Sequence, residues 1–217
     1  MPKKPTGRTG PLKVGPQKVT RALVRFPNKK SELELMIARI FVDHPCKTDS
    51  LSPFSGLKQN AEDDLDFSIE TSEGRKWLEL AEFAPLNEIN ASYASAPKQL
   101  SMAEYAKLYY QLIARKSRHQ GGVNRLLLTY ATHGSFFVSP PVQELVRRWL
   151  CREHPRFDRV YFLSPHCETT GTTFEVFPGR PHSMFKDMSD LQLSNLNLKV
   201  VDLDELAANG MTVRLGQ

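Results

Sequence analysis

An alternation of helical and strand-like segments between residues 101 and 163 restricts the fold more than any other pattern in the chain. Residues 101–120 carry apolar side chains at helical spacing, and an apolar segment follows at 125–132. A second helical pattern covers 139–150, and another apolar segment covers 157–163. Short apolar segments separated by helices are typical of strands in a mixed sheet that is covered on both faces.

The residues before this alternation predict one more helix and two more strands. The helix covers 31–44, where Ser31 and Glu34 have the spacing of a capping box. Apolar and polar residues then alternate over 65–70, and a second strand covers 76–84 beyond a short turn, which predicts a β-hairpin. The predicted fold class is therefore α/β, with a mixed central β-sheet flanked by helices.

Other segments are less regular. Residues 47–62 and 87–100 have the composition of loops. In the C-terminal part, Thr173–Phe177 and 196–203 are predicted as strands and 204–209 as a short helix.

Charge divides the 217 residues into two parts. Residues 1–30 hold 9 of the 29 basic residues and none of the 24 acidic ones, which leaves a balance of −4 for 31–217. We expect 1–30 to be a basic, partly disordered arm without regular structure before about Val19, because prolines and glycines interrupt it. We expect 31–217 to be a single α/β domain with its core at about 31–165 and a C-terminal extension at 166–217.

The chain lacks the features of membrane and secreted proteins. No apolar run approaches the roughly 18 residues that a membrane span requires, and the first thirty residues contain no apolar core of a signal peptide. Three cysteines do not form a disulfide framework. These observations predict a cytoplasmic protein without a membrane partner.

Two carboxylates of the predicted hairpin are candidates for chemistry. Asp66 begins one strand, and Glu79 lies between Leu78 and Leu80 in the next. A charge between apolar strand residues is costly to bury unless it is paired or binds a cation. Carboxylates that converge from neighbouring strands suit Mg²⁺, whereas a solvated sheet face is the simpler alternative.

The element order and these acids resemble the PD-(D/E)XK, or restriction-endonuclease-like, nuclease superfamily. Residues 65–69 match the strand with the first acid, and 77–83 match the strand with the second. The resemblance implies an αβββαβαβ core that hydrolyses phosphodiester bonds of DNA with Mg²⁺ or Mn²⁺. It implies Asp66, Glu79 and the carbonyl of Leu80 as metal ligands, with a further acid on the first helix at Glu32 or Glu34.

One position departs from the family pattern. The family has a lysine two residues after the second acid, and this chain has Ala81 there. The lysine function could have moved to Lys107, Lys76 or Lys98. Glu82 could also contribute, although strand alternation directs it to the face opposite Glu79.

The third explanation of Ala81 is a loss of activity. The chain would then be a catalytically inactive nuclease-fold protein that acts as a nucleic-acid-binding or assembly subunit. Under either hypothesis the expected partner is nucleic acid, with DNA favoured, and the formation of a homo-oligomer stays open.

Overall fold

A computed structural model describes residues 7–14, 19–46, 49–60, 65–95, 101–133 and 136–196. Its strands are β1 Gly7–Val14, β2 Val19–Arg25, β3 Ser55–Gln59, β4 Phe67–Thr71, β5 Gly74–Glu82, β6 Arg125–Tyr130, β7 Arg159–Pro165 and β8 Gly171–Phe177. Its helices are α1 Lys30–Asp43, α2 Met102–Gln120, α3 Pro140–Glu153 and α4 Asp190–Ser194.

Six strands form one mixed sheet in the order β3-β4-β5-β6-β7-β8. The β3–β4, β4–β5 and β7–β8 pairs are antiparallel, and the β5–β6 and β6–β7 pairs are parallel. The parallel pairs require crossover connections, which α2 and α3 supply. The predicted α/β class with a mixed sheet flanked by helices is confirmed.

Helices cover both faces of this sheet, and each face has its own core. On one face, α1 packs Ile37 and Phe41 among residues that include Leu78, Leu80 and Leu128. On the other face, α2, α3 and α4 pack against residues that include Ala81, Phe83, Leu127 and Phe162. Strand alternation produces this division, because successive side chains of β5 point to opposite faces. Within the described residues, no helix has the length and apolar character needed to cross a membrane.

The predicted helix boundaries are correct at α2 and wrong at the start of α1. Ser101 and Glu104 form the expected reciprocal capping box at the start of α2. In contrast, α1 begins at Lys30 after Lys29, and no side chain caps it. Ser31 therefore lies inside the helix and does not act as its N-cap.

Two of the C-terminal and loop predictions have clear outcomes. β8 confirms the strand at Thr173–Phe177. β3 lies in a segment that was expected to be irregular, because this short strand is mostly exposed and has no apolar alternation to reveal it. The strand and helix predicted beyond Leu196 lie outside the described residues.

The N-terminal segment differs from its sequence-based prediction. β1 and β2 pair antiparallel, from Gly7 opposite Arg25 to Val14 opposite Val19, so regular structure begins well before Val19. Val24 and Phe26 are buried in the core beneath α1. The folded unit therefore includes residues that precede Ser31.

Candidate active site

Asp66 lies where the ladder between β4 and β5 ends. The last pair of that ladder joins Phe67 to Leu78. Beyond it, Asp66 Oδ2 accepts a hydrogen bond from the backbone N–H of Leu80 at 2.7 Å. The carboxylate thus occupies the place of a strand partner, which fixes its position against the edge of β5.

The backbone of Asp66 is held from β3. The N–H of Asn60 donates to the Asp66 carbonyl at 3.1 Å, and Asn60 Nδ2 donates to the Leu65 carbonyl at 2.6 Å. These bonds fix the residues that precede β4. Asp66 is therefore held through both its backbone and its side chain.

The direction of the Leu80 carbonyl follows from the hydrogen bonds of β5. The backbone N–H groups of Trp77 and Phe83 donate to the carbonyls of Asn124 and Tyr130. The backbone hydrogen-bonding groups of odd-numbered β5 residues therefore point toward β6. The backbone N–H of Leu80 points away from β6, because it donates to the carboxylate of Asp66. Since the N–H and C=O of one extended residue point to the same side, the Leu80 carbonyl is directed toward the side on which Asp66 lies.

Glu79 is a buried carboxylate paired with a lysine of α2. Its residue surface is only 5% exposed, and Lys116 Nζ donates a hydrogen bond to Glu79 Oε1. Burial raises the pKa of Glu79, the bond from Lys116 opposes this, and the negative charges of Asp66 and Glu34 raise the pKa further. The net result is a pKa above the ordinary value, and both other acids lie close enough to contribute.

Glu34 reaches the same region from α1. Its carboxylate pairs with Lys30 at 3.4 Å on the preceding turn of the helix. The buried Tyr130 has its pKa raised by burial and then by the negative charges of Glu82, Glu34 and Asp66. Carboxylates on α1, β4 and β5 therefore lie close enough for the charges of Glu34 and Asp66 to act on Glu79.

Glu82 lies at the end of β5 and has neutral partners. Tyr93 Oη donates to Glu82 Oε1 at 3.2 Å, and Thr132 Oγ1 donates to the same oxygen. Burial and the charge of Glu82 together raise the pKa of Tyr93 to about 12. Glu82 follows the alternation of β5, on the face opposite Glu79.

The structure separates the proposed lysines from these acids. Lys107 is exposed on α2, nine residues before Lys116, which is about 13 Å along the helix axis. Lys76 donates to Asp158 at 2.9 Å and to Asn124 at 3.3 Å, at the opposite end of β5. Lys98 lies outside the described residues.

Lys116 was missed by the sequence prediction, although the sequence contains a signal for it. It follows Leu112 by four residues and Ile113 by three, which places it on the buried face of α2. At that position its aliphatic stem can pack while its ammonium group meets Glu79.

Side-chain donors alone do not form a metal site here. In the part of the chain that the structure describes, no three His, Cys, Asp or Glu side chains are grouped as metal ligands. The predicted ligands Asp66, Glu79 and the carbonyl of Leu80 are oxygen donors of the type that Mg²⁺ prefers, and Mg²⁺ sites commonly add water and substrate phosphate to one or two carboxylates.

Comparisons with known proteins do not assign a family. No protein-family model, curated protein or solved structure matches the chain.

Proposed function

We propose that this protein is a metal-dependent nuclease that hydrolyses phosphodiester bonds of DNA. One observation carries the proposal: the buried Glu79 carboxylate is paired with the Lys116 ammonium group next to Asp66. A buried ion pair beside further carboxylates is costly to maintain for stability alone. Groups with such perturbed pKa values are concentrated at functional sites.

The residues have distinct roles under this proposal. Asp66, Glu79 and the Leu80 carbonyl would hold Mg²⁺ or Mn²⁺, and the positive charge of the ion would offset the mutual repulsion of the carboxylates. When bound, the ion activates a water and stabilises negative charge on the scissile phosphate. Glu34 adds negative charge near Glu79 from α1.

Lys116 supplies the ammonium group that is missing at position 81, where the family pattern has a lysine and this chain has Ala81. Its ammonium group carries three donors, so it can keep one bond to Glu79 and direct another to the attacking water or to a phosphate oxygen. The helix thus contributes a cation that the family pattern places on the strand.

The second candidate is a catalytically inactive nucleic-acid-binding or assembly protein. It is favoured by Ala81, which occupies the position where the family pattern has a lysine. In this alternative, the bond between Lys116 and Glu79 only neutralises a buried charge.

A cleavage assay separates the two candidates. Purified protein is incubated with supercoiled plasmid, single-stranded DNA and RNA in Mg²⁺, in Mn²⁺ and in EDTA. The proposal predicts nicked or linear plasmid with either metal ion and intact plasmid in EDTA. Binding of DNA without cleavage under every metal condition would support the inactive alternative.

A further inference from the structure

Tyr130 is the last residue of β6 and is almost completely buried. It is 2% exposed, and in the parallel ladder it lies opposite Glu82, the last residue of β5. Its side chain belongs to the core on the α1 face of the sheet, together with Leu33 of α1 and Leu80 of β5. The phenol ring is therefore packed between α1 and the ends of these two strands.

The Tyr130 hydroxyl differs from those of other buried tyrosines in its hydrogen bonding. Tyr161, buried on the same face, donates to Asp49 Oδ2 at 2.5 Å. Tyr109, on the opposite face, bonds to Thr129 Oγ1 at 2.6 Å. Among the residues that the structure describes, none forms a hydrogen bond with the Tyr130 hydroxyl. Because a buried polar group without a partner is costly, this hydroxyl indicates a ligand that is not part of the chain.

The surroundings of the hydroxyl are acidic. Burial raises the pKa of Tyr130. Three negative charges raise it further, namely those of Glu82, Glu34 and Asp66. The hydroxyl therefore stays protonated, with one donor hydrogen and two acceptor lone pairs. It lies near carboxylates without bonding to them, so its ligand has to suit both a neutral hydroxyl and negative charge.

A hydrated divalent cation suits this combination of groups. Mg²⁺ usually keeps several waters when a protein binds it through one or two carboxylates. Polar groups that are too far apart for a direct hydrogen bond are commonly bridged by such a water. A water without a cation would satisfy the hydroxyl but would not offset the negative charges. A nucleobase or sugar is too large to reach a residue that is 2% exposed.

We propose that the Tyr130 hydroxyl holds a water in the hydration shell of the divalent cation that Asp66 binds. Tyr130 is then a positioning residue, because it acts on the ion through this water and touches neither the ion nor DNA. The inference rests on the proposed function in one respect, which is the assignment of a cation to Asp66.

The test measures Mn²⁺ binding by isothermal titration calorimetry in the absence of nucleic acid. The variant is Tyr130→Phe, which removes only the hydroxyl. The matched control is Tyr161→Phe, because the Tyr161 hydroxyl has a partner within the protein. Asp66→Asn shows whether the ion is bound at Asp66. Urea denaturation of the wild type and both tyrosine variants in EDTA measures their stability without the cation.

We expect the two tyrosine variants to show opposite patterns. Tyr130→Phe should bind Mn²⁺ about 10–100-fold more weakly, the range for loss of a group that orients a metal ligand. Its urea midpoint in EDTA should stay unchanged or rise, because no protein hydrogen bond is lost. Tyr161→Phe should bind Mn²⁺ as the wild type does and unfold at a lower urea concentration, because Asp49 loses a donor. Asp66→Asn should lose the binding.

Several results would overturn the inference. One is equal Mn²⁺ affinity of Tyr130→Phe and wild type, and another is an equal loss of affinity in both tyrosine variants. Binding that survives Asp66→Asn would place the ion elsewhere. A urea midpoint of Tyr130→Phe that falls as far as that of Tyr161→Phe would show that the Tyr130 hydroxyl already has a partner within the protein.

Plasmid cleavage, measured separately, distinguishes this inference from the nuclease proposal. If Mn²⁺ binding depends on Asp66 and Tyr130 but plasmid stays intact, the nuclease proposal fails and this inference stands. If wild type and Tyr130→Phe cleave plasmid and bind Mn²⁺ equally well, the nuclease proposal stands and this inference fails. No Mn²⁺ binding by wild type would contradict both.

Discussion

Lys116 of α2 donates a hydrogen bond to the carboxylate of Glu79 on β5. The contact joins a helix and a strand that are 37 residues apart in sequence. It brings an ammonium group to the acid whose own strand has Ala81 at the position where the nuclease pattern has a lysine. The lysine of the candidate site therefore comes from tertiary structure, and a strand motif alone does not reveal it.

Replacing Lys116 tests whether this ammonium group acts in cleavage. We expect Lys116→Met to lower the cleavage rate at least about 100-fold, the lower limit for loss of a positioned proton-transfer group. Arg118→Met, an exposed change on the same helix, is the matched control and should cleave as the wild type does. A Lys107→Met variant that loses activity while Lys116→Met keeps it would reverse the assignment.

Glu79 should make folding stability depend on pH. Its pKa is raised above the ordinary value of 4.5 in the folded protein, so the folded state binds the proton more tightly than the unfolded state. Its ionisation therefore destabilises the fold as pH rises from 4.5 through the folded pKa. We expect the melting temperature of Glu79→Gln, relative to wild type, to increase between pH 4 and pH 7. A difference that is constant or falls over this range would contradict the assignment.

Glu144 makes a contribution with the opposite sign. It is 2% exposed on α3 and pairs with Arg147 at 2.7 Å and Arg148 at 2.8 Å. Burial alone would raise the pKa of Glu144, but these bonds and the N–H of His182 outweigh burial and lower it. The stabilisation is present above the ordinary value of 4.5 and is lost as pH falls through the lowered pKa.

Removing this carboxylate takes the shared partner from two partly buried arginines, although Arg148 keeps its ion pair with Asp190. We expect Glu144→Ala to reduce the free energy of unfolding by about 3–5 kcal/mol at pH 7, as measured by urea denaturation. Glu153→Ala, on the exposed end of the same helix, should cost less than about 1 kcal/mol. Similar small costs for the two variants would show that the buried pairs do not stabilise the fold.

Gly121 sets the end of the helix that carries Lys116. An added Cβ would lie 2.3 Å from the Ser117 carbonyl oxygen and 2.4 Å from Cβ of Arg156. We expect Gly121→Ala to cost about 1–3 kcal/mol of unfolding free energy, because backbone must move to admit the methyl group. Gly122→Ala should cost less, since its nearest neighbours belong to the flexible Arg125 side chain. Equal costs in urea denaturation would contradict this account.

The sequence predicts the helices and strands whose own residues show an apolar pattern or a capping motif. Periodic apolar residues and a capping box identify α2, and continuous apolar segments identify β6 and β7, because each is buried in the core. In contrast, β3 is a mostly exposed edge strand without alternation, and its position depends on pairing with β4. The β1–β2 pair depends in the same way on tertiary contacts, since Val24 of β2 is buried in the core.

Some residues of the candidate site can likewise be predicted from local sequence, and others depend on the fold. Asp66 and Glu79 are recognisable in sequence because a charge interrupts an apolar strand pattern. The spacing of Lys116 from Leu112 and Ile113 places it on the buried face of α2, but its pairing with Glu79 depends on how α2 packs against β5. The partners of Glu82, namely Tyr93 and Thr132, also come from separate segments that only the fold brings together.

The most direct test of the central claim is the Mg²⁺-dependent rate of plasmid cleavage by wild type and Asp66→Asn. Asp187→Asn, a change at an 87% exposed side chain, is the matched control. We predict cleavage by wild type and the control in Mg²⁺ and none in EDTA. For Asp66→Asn the rate should fall at least about 100-fold, since even indirect metal partners cost about 10–100-fold. Undiminished cleavage by a folded Asp66→Asn variant, or no cleavage by wild type with any divalent ion, would contradict the claim.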